Sequence, residues 1–238
     1  MVFYRYRLQV VATIASNHAM SEVIVHRNGG VVLLGGGAVC PADLTHALQL
    51  APCLVAADGG GNKAIEYNYQ PVAVIGDMDS LSSNARDQIP AERIHRVAEQ
   101  DSTDFGKCLR FVHADFFLAI GFTGRRLDHT LATLSYLAQN QGVPILLIGE
   151  EDLIFRAPPR FSMALPVGTR LSLFPFGAVQ GRSQGLRWPI DGIALAPNGR
   201  VGTSNEVSGP VVLDLDGPCL ILLPKSCFDQ ALAVVRGA

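Results

Sequence analysis

The chain has 238 residues, 48% apolar and 17% charged, with a formal net charge of −2. This excludes a disordered chain, a basic nucleic-acid scaffold and a polybasic membrane-surface protein, and it allows one large domain or two modest ones. No apolar run approaches a membrane span, and the five scattered cysteines, Cys40, Cys53, Cys108, Cys219 and Cys227, include no CxxC pair; they read as reduced cytosolic thiols, mostly small core residues.

Residues 1–30 read as an N-terminal extension, poorly structured or contributing an extra strand. Its arginines precede a short apolar run, a faint likeness to a signal peptide, but the run is short and broken by Gln9 and Thr13, which favours the extension reading. Met20 is an alternative start, because "MSEVIVHRNGGVVLLGGG" reads as an ordinary N-terminus. From residue 31 a strand–turn–helix pattern repeats. "VVLLGGG" and "CLVAADGGG" are apolar runs ending in glycines, and "PADLTHALQLA" and "NKAIEYNY" have helical spacing. "VAVIGDMDS" is a further run that ends in acids. "ERIHRVAEQ" is a weaker element. In "DSTDFGKCLRFVHA", Phe105, Cys108, Leu109 and Val112 share one helical face. "DFFLAIGFTGRRLDH" runs from strand into loop, "LATLSYLAQN" sets Leu131, Leu134 and Ala138 in helical register, and "VPILLIGEE" is another strand.

Continuous apolar strands alternating with helices predict an α/β domain over 31–156, a mostly parallel sheet with helices on both faces. After "RAPPR" the style changes to short runs punctuated by Gly and Pro, "RLSLFPFG", "GLRWPIDG" and "PVVLDLDGPCLILLP", with a possible last helical turn near "FDQALAVV". Residues 157–238 are expected to form a smaller all-β, sandwich-like domain.

The acids of the first domain fall at the ends of predicted strands, where parallel sheets bind ligands. Asp58 precedes Gly59, Gly60 and Gly61. Asp77 and Asp79 close "AVIGDMD". Asp101 and Asp104 open a helix, and "GFTGRRLDH" supplies Arg125, Arg126, Asp128 and His129. Like charges this close raise each other's pKa unless something positive lies between them. A carboxylate cluster holds Mg²⁺ through oxygen, glycine turns bring backbone N–H groups to phosphate, and arginines with a lysine neutralise a transferring phosphoryl group. Each residue also has a structural alternative. Asp101 or Asp128 would cap a helix, Lys107 would pair with Asp104 on a solvated face, and His129 would be a hydrogen-bonded structural residue. Gly35–Gly37 would be a plain turn, and Trp188 a core or interface residue rather than a stacking platform. There is no GxxxxGK[ST], GxGxxG or GxSxG motif, which removes Walker-type nucleotide binding, dinucleotide binding and the hydrolase elbow.

The blocks "LLGGG", "AADGGGNK", "PVAVIGDMDS", "QDSTDFGKCL", "GFTGRRLDHTLA", "SLFPFG", "GLRWPI" and "TSNEV" occur in one order over roughly residues 31–223. In this set and order the sequence resembles the thiamine pyrophosphokinase (thiamine diphosphokinase) family. The resemblance implies an α/β domain followed by a β-sandwich-like domain, a homodimer, a Mg²⁺ requirement, and transfer of a diphosphoryl group from ATP to the hydroxyl of thiamine with release of AMP; the cytoplasmic location is the reading of the thiols. It places Asp77, Asp79, Asp104, Lys107 and Arg126 in catalysis, with Asp77, Asp79, Asp101 and Asp104 as metal ligands. Asp58, Gly59, Gly60, Asp101, Arg125, Asp128 and His129 fall on the nucleotide side, and Gln100, Ser204 and Asn205 on the thiamine side. Two positions depart from the family pattern: Arg125 stands where a glycine is usual, and Thr133 where an asparagine is. The competing readings are a diphosphokinase for another hydroxymethyl heterocycle such as a pterin, a non-catalytic nucleotide or thiamine sensor, and a DxD nucleotide-sugar transferase, which leaves "DSTDFGK" and the β domain unexplained.

Overall fold

Successive residues of a strand point to opposite faces of its sheet, and in the central strands here both sets are apolar. Strands β1 (Val25–His26) and β2 (Gly30–Leu34) are followed by helix α1 (Pro41–Leu50), β3 (Cys53–Ala57), α2 (Gly60–Glu66), β4 (Ala73–Gly76), α3 (Ser83–Gln88) and β5 (Ile94–Arg96). Then come α4 (Asp104–Phe111), β6 (Val112–His113), β7 (Phe116–Ile120), α5 (Leu127–Gln139) and β8 (Ile145–Ile148). The chain ends with β9 (Asp152–Arg156), β10 (Arg160–Met163), β11 (Arg170–Pro175), β12 (Gln180–Leu186), β13 (Gly202–Asp216), β14 (Cys219–Pro224) and α6 (Phe228–Arg236). This is a computed structural model that describes residues 23–99 and 101–237; the expectations for residues 1–22, Met20 and Gln100 lie outside the described residues.

Strands β8, β7, β2, β3, β4 and β5 lie side by side, all parallel. Val32, Leu34, Leu54, Leu118, Ile120 and Leu146 form one apolar face with α1 and α6 packed on it. Val31, Leu33, Val55, Phe117, Ala119 and Leu147 form the other, beneath α4 and α5. Burial on both faces explains why these strands read as unbroken apolar runs. The weak "ERIHRVAEQ" element resolves into the edge strand β5, and β1 is a short extra strand paired with β6.

Strand β9 is antiparallel to β8 and pairs on its far side with β14, so one hydrogen-bonded path runs from the parallel strands into the C-terminal strands. The long β13 pairs with β11 over its first part and with β10 and β12 over its second. The Lys225 ammonium lies 2.6 Å from the Asp43 carboxylate, which ties the start of the last helical segment to α1.

Packing decides two readings that the sequence left open. Leu131 is exposed, because α5 turns Thr133, Leu137 and Ala138 inward instead. Trp188 is 52% exposed and is not a core residue.

The first turn of α2 lies against the end of β2 so closely that a Cβ on Gly60 would collide with the Leu34 carbonyl oxygen. Gly60→Ala is therefore expected to destabilise by about 1–3 kcal/mol through overpacking against rigid backbone. Thermal unfolding would show this as a fall in Tm of roughly 2–4 °C per kcal/mol for a chain of this size.

Candidate active site

The parallel register brings the C-terminal ends of β2, β3, β4 and β7 to one rim: Leu34 pairs with Ala56 and with Ile120, and Ala57 with Ile75. The next residues along the chain are Gly35, Asp58, Asp77 and Gly121. Sequence-distant motifs thus become neighbours because each ends a strand of one parallel sheet.

Asp58 lies at the base of the site and is 1% exposed. Its backbone is left-handed (φ 40°), and it fits beside β4 because residue 76 has no side chain: a Cβ on Gly76 would lie 2.7 Å from the Asp58 Cβ. One Asp58 carboxylate oxygen accepts from the Ser80 N–H at 3.2 Å, and the other is buried with no hydrogen-bond partner. Burial, more than any other cause, pushes the Asp58 carboxyl up to about 6, with Asp79 and Asp104 adding like-charge repulsion.

Asp77 and Asp79 flank Met78, whose φ of 68° folds the chain so that the Asp79 N–H donates to Asp77 Oδ1 at 3.3 Å. The Ser80 hydroxyl donates to Asp79 at 3.0 Å and holds that carboxyl below the usual range. One oxygen each from Asp58, Asp77 and Asp79 lies within 4.8 Å of the others. Three hard oxygen donors this close, on a site whose buried Asp58 also carries an unpartnered oxygen, fit a divalent cation such as Mg²⁺.

The positive charge that the chain itself supplies is Lys107. It is 2% exposed, and its ammonium stands 3.8 Å from Asp77 and 3.5 Å from Asp104. It sits on α4, which starts with Thr103 as N-cap, the hydroxyl accepting from the Gly106 N–H at 3.1 Å. Thr103, not Asp101, fills that capping role, and the Asp104–Lys107 pair faces the acids rather than a solvated surface. Burial raises the Asp104 carboxyl, partly offset by Lys107. Phe105 packs on Phe122 and Tyr136, with ring centroids 4.8 and 5.7 Å away, and this fixes α4 against the loop after β7 and against α5.

The other candidate residues divide. Gly59 and Gly60 lie directly behind Asp58, where α2 begins. Asp101 is on an exposed turn before α4 and is not among the three clustered carboxylates. Arg126 is held by Asp128 through two contacts of 3.2 and 2.6 Å, both side chains being exposed, and His129 is exposed on the same first turn of α5. Arg125 reaches over the Gly35–Gly37 turn, its Nη1 3.5 Å from the Gly36 carbonyl.

In the C-terminal strands, Asn205 is buried and accepts from the Trp188 N–H at 3.2 Å while donating to the Trp188 carbonyl at 2.6 Å. It clips the backbone of an exposed tryptophan whose ring has the Arg187 guanidinium 5.0 Å from its centroid. Ser204 is left-handed (φ 59°) and donates its N–H to Ser172 at 2.9 Å.

Sequence reasoning missed two supports. Ser80 bonds Asp58 and Asp79 together. Asn62 clips the loop behind them, donating to the Ser80 carbonyl at 2.8 Å and accepting from the Ser82 N–H at 2.9 Å. The only linear signal was polar residues next to the acids.

An acidic, glycine-lined site with a buried lysine, at the C-terminal rim of a parallel sheet, defines the class of this α/β protein. The family model "Thiamin pyrophosphokinase, catalytic domain" matches residues 44–147. Thiamine pyrophosphokinase 1 of Oryza sativa subsp. japonica is 26% identical over 192 residues, 66% of this chain and 73% of the relative. The thiamine pyrophosphokinase of Bacillus subtilis is 25% identical over 189 residues, 74% of this chain and 88% of the relative. The solved structure of thiamin pyrophosphokinase from Candida albicans shares the fold, with a TM-score of 0.72 at 18% identity over 86% of this chain and 95% of that one. The family model, the curated relatives and the solved structures all point to the thiamine pyrophosphokinase family.

Because burial raises Asp58, the metal-free folded state binds a proton there that the unfolded chain releases at lower pH. Stability linked to Asp58 therefore increases as pH falls through about 6 and levels off below the unfolded carboxylate value near 3.8. Asp58→Asn, which keeps the acceptor for Ser80 and removes the charge, is expected to raise the Tm of metal-free protein at pH 7.5 and to lose most of that gain by pH 4.5. Thermal melts in chelator at both pH values check this.

Proposed function

We propose that this protein is a thiamine pyrophosphokinase, moving a diphosphoryl group from ATP to the hydroxyl of thiamine and releasing AMP. The observation that carries the reading is the Asp58–Asp77–Asp79 cluster with the buried Lys107 beside it, at the ends of adjacent parallel strands.

Chemically, the thiamine hydroxyl oxygen attacks the β-phosphorus of ATP. The new O–P bond forms as the bond from the β-phosphorus to the bridging oxygen breaks, and that oxygen leaves on AMP. Asp77 and Asp79, backed by Asp58, would hold Mg²⁺, whose charge neutralises the phosphate oxygens when bound. Asp101, on the exposed turn before α4, would add a further carboxylate to that ion when it binds. Lys107 places a fixed ammonium beside the reacting phosphates at no reorganisation cost, because Asp77 and Asp104 already hold it. Asp104 takes the hydroxyl proton; its raised affinity for protons suits a base better than an ordinary carboxylate. Arg126 and Asp128 form a unit that presents one guanidinium edge at the rim, with His129 alongside on the nucleotide side. Most of the rate enhancement is positioning and electrostatics.

The reading extends to a homodimer in which the C-terminal β domain, 157–238, supplies the thiamine side through Ser204, Asn205 and the Trp188 turn, with Gln100 contributing from the α/β domain, 31–156. Asn205 serves there as the clip that holds Trp188, since its amide is engaged on both sides of that residue. A cytoplasmic location accords with the reduced thiols; among the described residues no helix is long and apolar enough to cross a membrane.

Incubation with ATP, Mg²⁺ and thiamine, and in parallel with a hydroxymethylpterin, is expected to give thiamine diphosphate and equimolar AMP by mass spectrometry, and no pterin product. AMP formed only with the pterin would move the acceptor, and none with either would defeat the enzyme reading. Asp77→Ala and Asp79→Ala are each expected to lower kcat by about 10²–10³ or more while the protein stays folded, a loss on the scale of removing a principal transition-state charge contact.

A further inference from the structure

The chain winds outward from β2 through β3 and β4 to β5, then returns to place β7 on the other side of β2. In open parallel sheets the crevice at such a reversal is where ligands bind. Its two lips here are the turn Gly35–Gly37 after β2 and the turn from Gly121 to Arg126 after β7. Backbone hydrogen bonds join them: the Gly37 N–H donates to the Gly121 carbonyl at 2.7 Å and the Ala38 N–H to the Thr123 carbonyl at 3.0 Å. The lips stay narrow because side chains are absent where they meet. A Cβ on Gly37 would lie 2.7 Å from the Gly121 carbonyl oxygen, and one on Gly124 would lie 2.8 Å from the Ala38 Cβ.

Arg125 stands over this bare floor. Its φ is 55°, directly after Gly124 at 76°. That conformation is free for glycine and strained for any L side chain, so the guanidinium is kept at a backbone cost. The side chain is exposed, and its recorded contact is a long one, 3.5 Å from Nη1 to the neutral Gly36 carbonyl oxygen. The neighbouring Arg126 is held in a two-contact ion pair by Asp128, whereas Arg125 has no carboxylate within ion-pair distance among the described residues. The path from Arg125 to the acids is short. Gly36 abuts Gly59 (3.3 Å from a Cβ placed on Gly36), Gly59 abuts Ser80 (3.4 Å from one placed on Gly59), and Ser80 bonds both Asp58 and Asp79.

We propose that Arg125 is a specificity-determining anion contact: when a nucleoside triphosphate binds, its guanidinium leaves the Gly36 carbonyl and closes over the phosphate chain laid across the joined turns after β2 and β7. A planar fork of N–H donors meets phosphate oxygens through charge-assisted bonds, which outweigh one long bond to a neutral carbonyl. The inference rests on the reading that ATP is the donor, and it gives this chain a phosphate contact at a position where the family pattern has glycine.

Three variants separate charge from backbone. Arg125→Ala keeps the left-handed strain and removes the guanidinium, Arg125→Gly removes both, and Arg125→Lys keeps charge without the fork. In steady-state assays Arg125→Ala and Arg125→Gly are expected to raise the KM for ATP about tenfold, with a smaller change in kcat and less than a twofold change in the KM for thiamine. Arg125→Lys should fall between them and the wild type. Inorganic tripolyphosphate, used as a competitor, should weaken in parallel, and the salt dependence of its inhibition should be shallower in the two neutral variants. The Tm of Arg125→Gly should equal or exceed that of the wild type. An unchanged ATP KM in both neutral variants, or a lower Tm in Arg125→Ala with no change in KM, would overturn the proposal and leave Arg125 as a strut to Gly36. If the wild type makes no AMP at all, the enzyme reading fails separately. Equilibrium binding of ATP then decides Arg125: weaker in both neutral variants supports the contact, and equal to wild type overturns it.

Discussion

The carboxylate of Asp58 is buried beneath two others with one oxygen unpartnered, and the arrangement of the whole rim follows from that. Packing like charges at the ends of adjacent strands is unfavourable without positive charge nearby. The chain meets the demand in part with Lys107, which is removed from water and set between Asp77 and Asp104. A divalent cation would meet the remainder, and the same electrostatic imbalance that costs the metal-free protein stability would favour its binding.

Keeping that imbalance in place requires an unyielding scaffold. The parallel strands are apolar on both faces and clamped by helices on each, so the rim cannot relax without disturbing two cores. Left-handed backbone outside glycine falls at Asp58, Met78 and Arg125 in the rim turns, at Ser204 within β13 and at Asn68 after α2, and all but Asn68 lie in segments read as functional from the sequence. Strained backbone persists where surrounding structure over-determines it, and here the determinants are named: Ser80 and Asn62 for the acidic loop, Gly76 for the space beside Asp58.

The C-terminal strands follow the same logic with different chemistry. The buried amide of Asn205 accepts from the Trp188 N–H and its own following N–H and donates to the Trp188 carbonyl, so an exposed aromatic ring is presented on a braced mount. Arg187 lies over that ring and is itself paired with Glu206 at 3.3 Å. A ring face already engaged by a guanidinium offers less to a second cation.

The sequence by itself determined the parallel α/β half, because strands buried on both sides must be apolar throughout, and it marked the acids and glycines that end them. It also carried the resemblance to the thiamine pyrophosphokinase family, since eight short blocks in one order carry more information than any one alone. It did not determine which carboxylates meet. Asp58 joins Asp77 and Asp79 because β3 and β4 are parallel neighbours in register, a relation between strands that no linear spacing encodes. Nor did helical periodicity reveal that Leu131 faces outward: its register with Leu134 and Ala138 was compatible with either face, and only the packing of α5 against the sheet chose Thr133, Leu137 and Ala138. Lys107 read equally well as a surface partner of Asp104. Tertiary packing buried it, because Phe105 and Cys108 on the same short helix anchor α4 to the core and carry the lysine in with them.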